Sequence, residues 1–352
     1  MRVSRPLAAV GSLPVLTLVA TIAVGAPAGA AAQPRYVALG DSYSSGTGTR
    51  AYLADGTSCQ RSVRAYPSLV AAAGGLSLNL RACSGATTSD VATTQLSALD
   101  SGVAKVTISA GGNDAGFADV LTECAMPGWA SNCNGKIDAA TTFIKGTLPS
   151  RLNTLYGSIR TKAPNASVAV VGYPRIFMGE DCNAFTWFSP TEQSRLNATA
   201  DLLNATLKTA ATKAGFTFVN PTTAFTGHAV CDSPEWINGL SSPISESYHP
   251  NVAGHQSGYT PIVSAPVLGA RRTVTSGTLR TADASTAEQT SLQRRYAAAD
   301  RRIKPKVFRA PDLSSERVRR AAERTGVDLS SRASIDAADR RHSAAQAAQR
   351  TG

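Results

Sequence analysis

The chain has 352 residues and a formal net charge of +11, but the excess is unevenly placed. Residues 33–270 hold 15 Lys/Arg against 15 Asp/Glu, whereas 271–352 hold 18 against 9, and Arg2 and Arg5 supply the remainder. A neutral body with a basic tail excludes nucleic-acid binding by the main domain, and 43% apolar residues suit a folded chain.

Residues 1–32 read as a secretory signal. Arg2 and Arg5 form a positive start, an apolar run extends from Leu13 to Val24, and Ala28 to Ala32 offer small residues for cleavage. The run is shorter than the roughly 18 residues a membrane span needs. A secreted, extracellular protein is therefore expected.

Residues 33–270 have the size of one domain. Short apolar runs predict buried strands at Tyr36–Leu39, Leu76–Leu80, Val106–Ser109, Val168–Gly172 and Thr217–Asn220. Helical stretches fall between them, at Tyr66–Ala73, Ser89–Leu99, Leu148–Lys162 and Pro190–Ala214. The last opens with Ser189-Pro190-Thr191-Glu192, a capping box with proline at the first helical position. Strand alternating with helix predicts an α/β fold, a three-layer α/β/α sandwich around a parallel sheet of about five strands.

After Ala270 the composition turns to Arg, Ala and Ser, with Tyr296 and Phe308 as isolated aromatics. Residues 271–352 are expected to be a basic, mostly disordered or partly helical extension, because they hold too little apolar surface for a second core. Leu313 to Arg324 can form a short helix with Val318, Ala321 and Ala322 on one face. The tail is expected to have no chemistry of its own. It would touch anionic envelope polymers or lipid surfaces weakly, or be trimmed after export.

Cys59, Cys83, Cys124, Cys133, Cys182 and Cys231 make an even set in an exported chain, which suggests three disulfides. Six cysteines allow fifteen connectivities. Sequential pairing (59–83, 124–133, 182–231) is the simplest, since each bond then clips one local loop. No Cys-x-x-Cys and no histidine spacing supports a metal site.

The chemistry concentrates at strand ends. The first strand closes with Gly40-Asp41-Ser42, placing a hydroxyl where open parallel sheets bind ligands. Ala82 to Thr87 follow the second strand with Ser84-Gly85 among them, and Gly111-Gly112-Asn113-Asp114 follow the third. Late in the domain, Ser245-Glu246-Ser247-Tyr248-His249-Pro250 offers an imidazole with a carboxylate three residues ahead. Hydroxyl, base and amide donors are the three needs of ester hydrolysis by serine. Read without the others, Ser42 could be a helix cap, Gly85 a tight turn and Asn113 an Asx turn. No Gly-x-Ser-x-Gly elbow surrounds Ser42, and neither a Walker loop nor a dinucleotide fingerprint occurs.

These four blocks, in this order, resemble the SGNH (GDSL) hydrolase superfamily, and the six cysteines resemble its secreted actinobacterial lipases and esterases. The resemblance implies the family's flavodoxin-like fold and a carboxylic ester hydrolase. It implies Ser42 as nucleophile and His249 as general base. Its oxyanion hole would be the N–H groups of Ser42 and Gly85 with the Asn113 amide. The family's Asp-x-x-His is Glu246-Ser247-Tyr248-His249 here, so either Glu246 or a main-chain carbonyl orients the histidine. Asp41 and Asp114 would orient backbone, while His228, His255 and His342 would be structural.

The substrate would be a small-molecule or lipid ester, cleaved by a monomer without cofactor or metal. Met126, Trp129, Phe177, Phe185, Trp187, Phe188 and Trp236 could line an acyl groove, or equally pack under the clipped loops. Lipase, phospholipase A and polysaccharide O-deacetylase remain open alternatives, with a non-catalytic binding module as the reading from another class.

Overall fold

The computed structural model describes residues 1–9, 11 and 32–351. The apolar run and most of the cleavage region of the expected signal lie outside the described residues.

Five strands form one parallel sheet: β1 (Arg35–Gly40), β2 (Ser77–Leu80), β3 (Lys105–Ser109), β4 (Ser167–Val171) and β5 (Thr217–Val219). Their order is β2-β1-β3-β4-β5, so the strand sequence reverses beside β1. Register is set by pairs such as Tyr36 with Leu78 and Gly40 with Ser109. The inner strands are buried on consecutive residues, for example Val37-Ala38-Leu39 and Val106-Thr107-Ile108. Continuous rather than alternating burial is what helices on both faces impose. Each expected strand lies within one residue of its observed bounds.

The helices of the body are α1 (Ser42–Ser45), α2 (Tyr66–Gly74), α3 (Thr88–Asp90), α4 (Phe117–Cys124), α5 (Cys133–Gly146), α6 (Leu148–Lys162), α7 (Pro190–Lys213) and α8 (Thr260–Leu268). One face of the sheet is covered by α2 and α8, the other by α6 and α7. The capping box at Ser189 forms as expected, with the Ser189 side chain on the Glu192 N–H and the Glu192 carboxylate on the Ser189 N–H. The stretch expected as one helix over Ser89–Leu99 is instead α3, a widened turn Val91–Gln95 and a tight turn Leu96–Ala98. Helices α4 and α5 were not expected from the sequence. Yet Cys133, Ile137, Ala140 and Ile144 of α5 are buried at helical spacing, a pattern present in the chain.

The tail, expected to be mostly disordered or partly helical, is helical over much of its length. It carries α9 (Ser276–Ala284), α10 (Thr286–Arg294), α11 (Ala297–Asp300), α12 (Glu316–Thr325) and α13 (Arg332–Thr351). The expected face Val318, Ala321 and Ala322 of α12 is buried. Ile303 and Phe308 of the tail join the main core, while Val318, Ala321, Ala322, Val327, Ile335 and Ala338 form smaller apolar clusters with Met126, Ala130 and Trp187 of the body. Helix α10 lies against edge strand β2, where the Gln289 side-chain amide donates to the Leu78 carbonyl at 2.8 Å. An unpaired strand edge is thereby covered. Asp300 accepts from Arg61 and from Arg81, each at 2.7 Å, in a fully buried cluster. Such polar anchors leave no trace in hydropathy, which is why composition alone read the tail as loose.

Candidate active site

Strand β1 ends against β3 because residue 40 is glycine. Its φ is +120°, and a Cβ there would lie 2.2 Å from the Ser109 carbonyl oxygen. The Gln95 side chain clamps the same residue, accepting the Gly40 N–H at 2.7 Å and donating to the Gly40 carbonyl at 2.8 Å. Ser42 therefore leaves the sheet at a fixed angle and opens α1. Asp41 caps that helix by accepting the Tyr43 N–H at 3.0 Å, and it accepts the Tyr173 hydroxyl at 2.6 Å. Burial pushes the Asp41 carboxyl up to about 7.

His249 arrives from the loop before α8. Tyr248 adopts a left-handed conformation (φ +62°), a strained state for a bulky residue. Three bonds hold it there. The Tyr43 hydroxyl donates to the Tyr248 carbonyl at 2.8 Å, the Tyr248 N–H donates to Asn238 O at 2.8 Å, and the Asn238 N–H donates to His249 O at 2.9 Å.

His249 Nε2 then lies 2.9 Å from Ser42 Oγ, and its Nδ1 lies 2.9 Å from the Ser247 carbonyl oxygen. A carbonyl only accepts, so Nδ1 carries the proton and Nε2 is free to accept the serine hydroxyl. Tyr43 and Phe117 pack against the ring at 5.4 and 6.1 Å. Burial lowers the imidazole to about 4, opposed by the bond to Ser247, so it is neutral at physiological pH.

The Glu246 carbonyl accepts the His249 N–H at 3.3 Å, but the Glu246 carboxylate makes no bond to the imidazole ring. That buried carboxylate accepts the Tyr52 hydroxyl at 2.7 Å and Arg50 Nε–H at 2.9 Å. Of the two groups left open by the sequence, Glu246 or a main-chain carbonyl, it is a carbonyl that meets His249 Nδ1. Glu246 closes a tight turn, Ile244–Glu246, that turns its longer side chain toward Arg50. The Ser247 carbonyl occupies the orienting position instead.

The donor loops are laced together. Cys59 is bonded to Cys83, two residues before Gly85, and the Ser84 N–H donates to Cys59 O at 3.0 Å. Gly85 has φ +81°, a conformation that glycine adopts without strain. The Asn113 amide donates to Ala86 O at 3.0 Å, fixing its side chain beside the Gly85 turn. Asp114 accepts from the Thr88 N–H and hydroxyl at 2.8 and 2.6 Å and pairs with Arg151. Among the described residues, the main-chain N–H groups of Ser42 and Gly85 donate to no protein acceptor. The other two bonds join Cys124 to Cys133 and Cys182 to Cys231, so all three are sequential.

An apolar pocket opens at Ser42 and Asn113 and runs between α4, α5 and α7, with Phe117, Val120, Leu121, Ile144, Ile176 and Leu203 on its walls. Of the aromatics expected there, only Phe177 lines it. Met126, Trp129 and Trp187 pack against the tail helices, Phe188 packs on Phe177 and Tyr248, and Trp236 stacks on His228. Phe185 is exposed. The walls were missed with α4 and α5. Gln95, Tyr43, Tyr173 and Ser247 were missed because they act across long sequence separations or through main-chain atoms. His228, His255 and His342 each serve packing or local bonds, as expected.

Comparison with known proteins bears on the same residues. The profile of the GDSL-like Lipase/Acylhydrolase family matches residues 38–257. Lipase 1 of Streptomyces coelicolor is 44% identical over 263 residues, covering 72% of this chain and 97% of the relative. The crystal structure of an extracellular lipase from Streptomyces rimosus superposes with a TM-score of 0.63 at 41% identity, covering 66% of this chain and all of that one. A phospholipase A1 from Streptomyces albidoflavus gives 0.64 at 41% identity, covering 67% of this chain and all of that one. The chain belongs to the GDSL-like lipase/acylhydrolase family and is a carboxylic ester hydrolase.

Proposed function

We propose that the protein is a secreted serine lipase or esterase, with phospholipase A-type activity within its range, working through an acyl-enzyme. One observation carries the reading: Ser42 Oγ sits 2.9 Å from a His249 Nε2 that must accept, at the mouth of an apolar pocket.

Ser42 Oγ attacks the ester carbonyl as its proton passes to His249 Nε2. The Ser247 carbonyl holds the Nδ1–H and favours the imidazolium that forms. The oxyanion is met by the N–H groups of Ser42 and Gly85 and by the Asn113 amide, donors fixed before the substrate arrives. His249 returns the proton to the departing alcohol, leaving the acyl group on Ser42. Water then attacks with the same base, and the acid leaves.

The apolar pocket favours an acyl chain over an acetyl group. Acetyl removal from a polysaccharide would use the same residues but leave the pocket empty, and a binding module would leave the Ser42–His249 pair idle. The arginine-led amino terminus of the sequence and the three disulfides support export, and a monomer suffices because the site is built from one chain.

The test is hydrolysis of p-nitrophenyl esters of rising chain length and of phosphatidylcholine. Activity should rise beyond acetate and vanish in Ser42→Ala. Turnover of acetylated xylan alone would favour the deacetylase.

A further inference from the structure

Residues 301–309 run beside the loops that carry Gly85 and Tyr248. The segment joins α11 to the approach of α12, and five of its nine residues are Arg301, Arg302, Lys304, Lys306 and Arg309. From residue 303 to α12 it has no helix or strand.

Its contacts fall on three walls of the site. Pro305 rests on the oxyanion loop, so close that a Cβ on Gly85 would come within 2.4 Å of the Pro305 Cα. Phe308 is buried edge-on against Tyr248 at 4.9 Å, the neighbour of the base. Lys306 pairs with Asp119 at 2.6 Å, and the Arg309 N–H donates to the Thr122 hydroxyl at 3.0 Å. Both partners belong to α4, whose Phe117 packs on the His249 ring.

Both ends are moored. Before the segment, Asp300 sits in the buried cluster with Arg61 and Arg81, and Ile303 enters the core. Beyond it, Val318 and Ala321 of α12 pack with Met126 and Ala130. No covalent link reaches the segment, since the disulfides all lie between Cys59 and Cys231.

We propose that residues 301–309 are an autoinhibitory strap, and that the full chain is a latent esterase opened by one cut between Lys306 and Val307. The inference rests on the hydrolase reading above. Proline after Lys304 disfavours cleavage there by an endopeptidase that cuts after lysine. The Lys306 side chain is 68% exposed and Val307 is 40% exposed, in irregular backbone. Hydrolysis breaks one C–N bond with one water, leaving a carboxylate on Lys306 and an amine on Val307. The strap then loses the chain continuity that makes its contacts intramolecular.

The experiment treats the intact secreted chain briefly with lysyl endopeptidase and locates the cut by mass spectrometry. Hydrolysis of p-nitrophenyl butyrate and fluorophosphonate labelling of Ser42 are then timed in both forms. The nicked form should hydrolyse and label about tenfold faster or more. Lys306→Gln should stay uncut there and slow after the same treatment, and uncut Phe308→Ala should be partly open. Equal rates for intact and nicked protein would overturn the strap and leave the hydrolase standing. Failure of both forms to label or hydrolyse would sink the hydrolase reading, and the strap with it.

Discussion

The Ser247 carbonyl oxygen lies 2.9 Å from His249 Nδ1, so a main-chain atom two residues upstream sets the tautomer of the base. A carboxylate in that place would add charge stabilisation. A carbonyl supplies direction and a dipole but no full charge, and side-chain mutation cannot delete it.

Glu246→Ala should therefore keep kcat within about tenfold of the parent. Loss of a tautomer-setting carboxylate would cost about 10⁴-fold. The variant should instead lose stability, about 1–3 kcal/mol, because Tyr52 and Arg50 lose their acceptor. Steady-state rates read beside urea melts separate the two effects.

Asn113→Ala should reduce kcat by about 10²–10³ with little change in KM, the signature of a donor used only in the transition state. The lost bond to Ala86 should cost no more than about 1 kcal/mol of stability. A variant with parental kcat would remove Asn113 from the oxyanion hole.

The pH profile should carry the mark of burial. A base works when neutral, so activity is present above its pKa and is lost as pH falls through it. His249 is lowered to about 4 from an ordinary value near 6.5. The acid limb of kcat/KM for an uncharged ester should accordingly fall near pH 4, and a midpoint near 6.5 would contradict it.

Chain-length preference should move with the pocket floor. Ala140 and Ala200 line it with the smallest of side chains. Ala140→Phe should depress kcat/KM for decanoate esters by at least about tenfold while sparing acetate. Each methylene shut out of an apolar site forgoes about 0.8 kcal/mol. Parallel losses on all esters would mean damage to the fold.

Asp300→Asn should destabilise the protein by about 3–5 kcal/mol, since Arg61 and Arg81 would remain buried with one fewer counter-charge. Thermal melts would register it, and a change within about 0.5 kcal/mol would show the cluster to be dispensable.

The sheet was readable because parallel strands buried on both faces are short apolar runs, and all five stand out as such. Ser42, Gly85, Asn113 and His249 stand out in the sequence because each sits in a distinctive block at a strand or loop end, and Ser42 Oγ and His249 Nε2 lie 2.9 Å apart. What stayed hidden depends on atoms the alphabet does not encode. The choice between Glu246 and a carbonyl at His249 Nδ1 turns on a main-chain atom, the clamp on Gly40 comes from Gln95 through a widened turn, and the tail's anchor is a single aspartate between two arginines. Helices α4 and α5 were obscured by Gly, Asn and Thr among their apolar positions.

Cys83 stands two residues ahead of Gly85 and is bonded to Cys59. Reduction of that bond would leave Ser42 and His249 in place while freeing the turn on which Gly85 sits, so the thiol and disulfide forms of the chain should differ most at this loop.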